Sequence, residues 1–312
     1  MDILALCAGI DVSLDALVVS VGGAKAFEVP NTQEGALELA RLLPKGCTVH
    51  MESSGAYHRL AERVLAGQGF KVRVHNAYRL RRLSDGLASK AKTDPLDAKA
   101  LSLHAGLLPS YEPKTPERQD LADLGRAIDS VKETMASFKK KLAAPNLDED
   151  AKQAYRELVG VLAGQAKRLE AKFAKRVMAS SSKEDYMLAR SVRCIGPVAA
   201  RVCICELPQN VRSATPAQAS SYSGLAPMDD SSGKRHGAKH VGRGNVRLKR
   251  TLYMCALTAI ATQPWARDHY ARLRAKGKTH QEAIVPIMRK LLLRVVCVLK
   301  RRSPWQDEPP GA

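Results

Sequence analysis

Leu4-Ala-Leu-Cys-Ala-Gly-Ile-Asp-Val-Ser13 is the stretch on which the fold turns. It is apolar almost throughout, as a buried strand is, until one carboxylate interrupts it at Asp11. An unpaired carboxylate in such a strand costs roughly several kcal/mol, as much as a small domain can spare, unless a cation meets it. Three more acids are placed to share that cation. Glu52 closes another apolar strand, and Asp94 and Asp97 sit one helical turn apart. Four carboxylates make an oxygen-only donor set suited to Mg²⁺ or Mn²⁺. No histidine lies beside them in sequence, which argues against zinc. Plainer roles stand beside this one. Asp94 fits a helix N-cap, with Pro95 at the first helical position and Asp97 two further on, and Glu52 fits an exposed strand end. The cap and ligand roles are compatible, because a spacing of three puts both carboxylates on one helix face.

Working outward, Ala16–Val21 and Ala26–Val29 are short apolar runs split by Gly22-Gly23 and closed by Pro30, which predicts a three-strand meander. Ala36, Leu39, Leu42 and Leu43 have helical spacing. A strand over Cys47–Met51, a helix from about Tyr57 to Ala66 and a strand over Phe70–Val74 follow. Arg79–Lys92 reads as a basic connecting segment, leading into a helix from about Pro95 to Leu103. The order βββαβαβα, with acids on the first and fourth strands and the last helix, is that of ribonuclease-H-like α/β folds.

The middle of the chain changes character. Pro116–Ala143 and Asp148–Met178 are rich in Ala, Leu, Lys and Glu, with apolar residues three or four apart and a break at Pro145-Asn146. This predicts an antiparallel helical hairpin, a packing or dimerising arm without chemistry. A basic, mainly helical region follows. Ser191–Ala200 resembles the turn of a helix-hairpin-helix, with Cys194 in place of the first glycine. Met228–Asn245 reads as a polar loop, followed by helices from Val246 to about Thr262 and through Ile284–Val295 to about Lys300. The expected domains are therefore 1–108, 109–183 and 184–302, with a tail over 303–312.

The 312 residues carry a net charge of +19. Residues 190–302 hold 22 Lys and Arg against 5 Asp and Glu, whereas the rest has 28 against 26. A basic field confined to one region calls for a polyanion, and nucleic acid is the commonest. No apolar run approaches the roughly 18 residues of a membrane span, and the start of the chain lacks the basic region of a signal peptide. Seven cysteines with no CxxC pair are expected as reduced thiols, with Cys203 and Cys205 in the core and no structural zinc. A cytoplasmic, nucleoid-associated protein is the corresponding expectation.

Gly9-Ile-Asp-Val-Ser13, Met51-Glu-Ser-Ser-Gly-Ala-Tyr57 and Ala91-Lys-Thr-Asp-Pro-Leu-Asp-Ala98 resemble the three motifs of the DEDD insertion-sequence transposases. This family includes the pilin-gene invertases and the bridge-RNA-guided recombinases. Cys194–Pro197, Ser223–Pro227, Ser232-Gly233 and Gly244–Tyr253 match its C-terminal half in the same order. The resemblance implies a Holliday-junction-resolvase-like (RuvC-like) N-terminal domain, with Asp11, Glu52, Asp94 and Asp97 holding Mg²⁺ or Mn²⁺. It also implies a serine nucleophile at Ser232, with Ser231 adjacent, which would form a phosphoserine–DNA linkage. Lys234, Arg235, Lys239, Arg243, Asn245, Arg247 and Arg250 are the expected nucleic-acid contacts. Two departures stand out: Leu14 where the family often has Lys, and His240-Val241-Gly242 where it often has Ile-Ser-Lys. The implied partners are donor and target DNA, a guide RNA encoded by the element, and further copies of the chain, as dimers pairing into a tetramer. The rival functions are a metal-dependent, structure-specific endonuclease that uses water, and a non-catalytic nucleic-acid-binding protein.

Overall fold

The structure, a computed structural model, describes residues 6–306 except 54, 87–92, 109–113, 229–230, 233–234, 237–239 and 243. For 78–79, 84–86, 209–210, 228, 231–232, 235–236 and 240 it describes the backbone only. The chain divides into two units, Met1–Lys114 and Thr115–Ala312. Among the described residues no helix is long and apolar enough to cross a membrane.

In the first unit the strands are β1 (Cys7–Val12), β2 (Ala16–Val21), β3 (Phe27–Pro30), β4 (Thr48–Glu52) and β5 (Lys71–His75). They form one mixed sheet in the order β3-β2-β1-β4-β5. β1 pairs antiparallel with β2 and parallel with β4, and β4 pairs parallel with β5. The helices are α1 (Gln33–Leu42), α2 (His58–Gly67), α3 (Ala77–Gly86) and α4 (Asp94–His104). The α3 segment corrects the reading of Arg79–Lys92 as a connection: its first part is helical. Leu80 explains why, since it is buried against Leu101 and Ala105 of the α4 region. Residues 87–92 lie outside the described residues.

Strand alternation sorts the sheet into two faces. Ala8, Ile10, Val12, Leu17, Val19, Val49, Met51, Val72 and Val74 build one core with Leu39 of α1 and Ala61 and Leu65 of α2. The alternate positions on the strands, Gly9, Asp11, His50, Glu52 and His75, therefore belong to the opposite face, where α4 lies. Gly9 sets how closely α4 approaches. A Cβ there would stand 2.2 Å from the Ala98 carbonyl oxygen and 2.4 Å from the Ser102 nitrogen. Ser102 Oγ accepts from the Gly23 amide at 3.1 Å, pinning the C-terminal half of α4 beyond the start of β1. The helix thus runs opposite to β1 and brings its N-terminal turn to the end where Asp11 lies.

In the second unit α5 (Pro116–Leu142) and α6 (Glu149–Ala179) form the expected helical hairpin. Thr115 and Asp148 cap their N-termini. Next come α7 (Lys183–Ser191), α8 (Pro197–Glu206), α9 (Pro216–Ser223), α10 (Val246–Thr262), α11 (Pro264–Ala275) and α12 (His280–Arg301). The base of the hairpin shares a core with α8, as Leu121, Ile128, Phe173 and Val177 pack with Ile204 and Cys205. Towards the far end, Leu158 and Val161 are exposed. Between α7 and α8, Cys194 adopts a left-handed φ of 69°, the conformation a glycine would take without strain. Cys203 and Cys205 are buried, and among the described residues no disulfide joins any of the seven cysteines.

Met228–Asn245 is not the unpatterned loop its composition predicts. Short antiparallel strands β6 (Pro227–Met228) and β9 (His240–Val241) pair with each other, as do β7 (Ser231–Ser232) and β8 (Arg235–His236) between them. Two-residue strands carry no readable periodicity, so only the pairing reveals this nested ribbon.

Candidate active site

Three elements bring the four acids together. Asp11 follows Ile10 on β1, and Ile10 pairs with Met51, the residue before Glu52 on β4. Adjacent strands lie about 4.8 Å apart, so the two carboxylates are neighbours on one face. α4 adds Asp94 and Asp97 in its first turn. Burial first, then the charges of Asp94, Glu52 and Asp97, push the Asp11 carboxyl from the ordinary 3.8 up to about 6. The other three acids therefore lie close enough to Asp11 to act on it through space. The capping role considered for Asp94 is corrected: Thr93 occupies the N-cap and Asp94 is the first helical residue. Its carboxylate is free of that structural duty, and the positive end of the helix dipole offsets part of the crowding of negative charge.

Among the described residues, no three Asp, Glu, His or Cys side chains close into a ready-made metal cage. Like charges keep carboxylates apart until a cation neutralises them. The donor chemistry still fits a hard divalent ion, being oxygen only and electrostatically frustrated at Asp11.

The structure adds a feature that sequence reading missed. His75 is the cross-strand partner of Glu52. His50 Nδ1 and His75 Nε2 stand 2.8 Å apart, both residues buried, with their rings stacked. One nitrogen must donate and the other accept, so at least one ring is neutral. Burial and then Arg73 hold His50 below the usual imidazole range. The Ser53 amide donates to the His75 carbonyl at 3.0 Å, fastening the chain just after Glu52. The available signal was the His-x-Glu alternation on β4, and its meaning depended on the β4–β5 register.

In the second unit Ser232 ends β7, where it pairs with Arg235. Ser231 pairs with His236. The ribbon rises from a tightly closed base. A Cβ on Gly244 would stand 2.1 Å from the Gly224 nitrogen, and Gly224 itself has a φ of 69°. The Asn245 amide donates to the Tyr222 carbonyl at 3.1 Å. Asn245 Oδ1 caps α10 by accepting from the Leu248 amide at 2.9 Å, and Nδ2 donates to Glu206 at 2.8 Å. Glu206 is only 4 % exposed and also meets Arg247 at 3.0 Å and Arg126 at 3.3 Å.

Several of the expected nucleic-acid contacts thus have partners inside the protein. Arg247 joins Glu206 and Asp129, Asn245 joins Glu206, and Arg250 pairs with Glu133 while remaining exposed. Lys234, Lys239 and Arg243 lie outside the described residues, and Arg235 is described by its backbone in β8. Much of the basic region's charge is structural, with Arg201, Arg212 and Arg302 also paired to acids.

Comparison with known proteins finds two family models in chain order. A DEDD transposase model of the IS110 type covers residues 8–149, and a model described as the transposase IS116/IS110/IS902 family covers 186–271. An uncharacterized 43.6 kDa protein of insertion element IS110 from Streptomyces coelicolor is 31% identical over 118 residues, which is 38% of this chain and 29% of that protein. The 42 kDa protein of IS900 from Mycobacterium paratuberculosis is 40% identical over 70 residues, 22% of this chain and 18% of that protein. The pilin gene-inverting protein of Moraxella lacunata is 34% identical over 88 residues, 27% of each chain. The matched stretches span less than a third of these relatives' length. With the acid-bearing unit and the serine-bearing unit each matched by its own model, the chain belongs to the IS110/IS116/IS902 family of insertion-sequence transposases.

Proposed function

We propose that this chain is the transposase or site-specific recombinase of an insertion element, cutting and rejoining DNA strands through a serine–DNA linkage. The observation that carries the reading is the convergence on Asp11 of Glu52 from the neighbouring strand and of Asp94 and Asp97 from the first turn of α4. The strand order and the acids' places on β1, β4 and α4 support the ribonuclease-H-like, RuvC-like reading of the first unit.

Asp11, Glu52, Asp94 and Asp97 would hold Mg²⁺ or Mn²⁺. Such an ion supplies charge stabilisation at a phosphate in displacement and favours the deprotonated form of an attacking oxygen. Ser232 is the nucleophile in this reading. Its Oγ forms a bond to phosphorus as the bond to one sugar oxygen breaks, and the serine proton ends on the released DNA hydroxyl. Attack by a strand hydroxyl on the phosphoserine reverses the step and frees the serine. The phosphoester energy is kept for rejoining, which hydrolysis would discard.

Lys234, Arg235, Lys239, Arg243 and the exposed Arg250 act as phosphate contacts in this reading, while Asn245 and Arg247 serve by holding the ribbon base. Recombination brings two duplexes together, which calls for at least two protomers, and the α5–α6 hairpin is the proposed contact through which dimers pair into a tetramer. Target choice is assigned to a guide RNA encoded by the element.

The test is a denaturant-resistant adduct on labelled element-end DNA. Wild type should form it with Mg²⁺ or Mn²⁺. Ser232→Ala should bind DNA without forming it, and Ser231→Ala should retain it. Full strand cleavage with no adduct in wild type would favour the water-using endonuclease instead.

A further inference from the structure

Each of the three segments that carry the acids also displays one large apolar side chain to solvent. Leu14, three residues after Asp11, is 61% exposed; Tyr57, five after Glu52, is 49% exposed; and Leu96, between Asp94 and Asp97, is 41% exposed. Tyr57 is the only aromatic residue among the exposed large hydrophobic residues described. Asn31 draws two of these segments together: its Nδ2 donates to the Ser13 carbonyl at 2.8 Å and to the Tyr57 carbonyl at 3.2 Å. Its backbone amide also donates to the Asp15 carbonyl at 2.8 Å, so the turn bearing Leu14 and the start of α2 are fixed side by side.

We propose that Tyr57, whose segment Asn31 ties to the turn that follows Asp11, is a stacking platform for an unpaired nucleobase next to the phosphate held at the acids. The proposal rests on the reading of the acids as the DNA-cutting site and adds the form of DNA that the site accepts. The physical argument is one of charge. The mouth of the site is lined by carboxylates, so a phosphodiester is repelled there except where a cation intervenes. The face of a base is neutral and meets no such repulsion. An exposed phenol ring offers it apolar surface without competing for the metal. Base–aromatic stacking tolerates any sequence, because every base has a π-face. A base inside a duplex has no free face, so the strand must be opened where it is cut. Tyr57 positions the nucleotide in this scheme and takes no part in the bond changes.

The experiment uses the full-length protein and short single-stranded oligonucleotides carrying the fluorescent base 2-aminopurine at successive positions, with and without Mn²⁺. Stacking on Tyr57 should quench the probe at one position. Tyr57→Ala should abolish that quench and weaken Mn²⁺-dependent binding roughly 5- to 100-fold, while Tyr57→Phe restores both. Adding the protein to the matching probe in a fully paired duplex should cause no Tyr57-dependent change. Unchanged quench and unchanged Mn²⁺-dependent affinity in Tyr57→Ala would overturn the platform and leave the acid site standing. Tyr57-dependent quench in a protein indifferent to Mn²⁺ would support the platform and sink the metal reading alone. A change in the mass of the oligomer in Tyr57→Ala, with quench intact, would make the rim a protein contact and overturn the proposal.

Discussion

Removing the Asp11 charge should stabilise the metal-free protein. The Asp11 carboxyl is held at about 6 rather than 3.8 because ionising it places a half-buried charge beside Asp94, Glu52 and Asp97. At about 1.4 kcal/mol per pH unit, this amounts to roughly 3 kcal/mol of strain in the ionised native state. Asp11 keeps some contact with solvent, which screens the repulsion, so roughly 1–2 kcal/mol is the expected effect. The sign follows from proton linkage. Between pH 3.8 and about 6 the native state holds a proton that the unfolded state has lost, so stability falls as pH rises and levels off above 6. Asp11→Asn in EDTA should therefore match wild type near pH 3.5 and exceed it by roughly 1–2 kcal/mol at pH 7. Trp265 and Trp305 both lie in the second unit, so tryptophan fluorescence would miss the effect. Amide hydrogen exchange in β1 and β4 reports it. Saturating Mn²⁺ should reverse the order, since a ligand at about a hundred times its dissociation constant adds about 2.7 kcal/mol to the protein that binds it. An Asp11→Asn protein less stable than wild type at pH 7 in EDTA would refute the electrostatic reasoning. An Mn²⁺ gain of equal size in both proteins would refute the cation site.

Gly9→Ala places a methyl group into the α4 backbone; a loss of about 1–3 kcal/mol or more is expected, together with weakened Mn²⁺-induced protection in β1, both read by the same exchange experiment. Glu206→Ala removes the buried acid shared by Arg247 and Arg126, each of which keeps a second acid, Asp129 or Asp123, and should cost about 1–3 kcal/mol; urea unfolding followed by Trp265 and Trp305 fluorescence checks it, and an unchanged stability would contradict the buried network.

Much of the fold was legible because it is written in local pattern. Apolar runs placed β1 and β2, alternation placed β5, three-four spacing placed α1, α5, α6 and α12, and the lone charge in an apolar strand singled out Asp11. Composition misled where a single contact outweighed it. The basic residues from Arg79 onward hid a helix that Leu80 ties to Leu101, and the Gly- and Ser-rich stretch around Ser232 hid a ribbon defined by pairs only two residues long. Charge count likewise overstated the free basic surface, because pairing partners such as Asp129 and Glu206 lie dozens of residues away in sequence.

By itself, the sequence determined which residue types the site contains and the elements that carry them. Only tertiary structure decided that Gly9 lets α4 lie against β1, that His75 stands across from Glu52, and that Asn31 ties the turn after β1 to the start of α2. The reason is physical. Propensity and periodicity act over a few residues, whereas close backbone approach, cross-strand register and shared hydrogen bonds exist only between segments that folding has brought together.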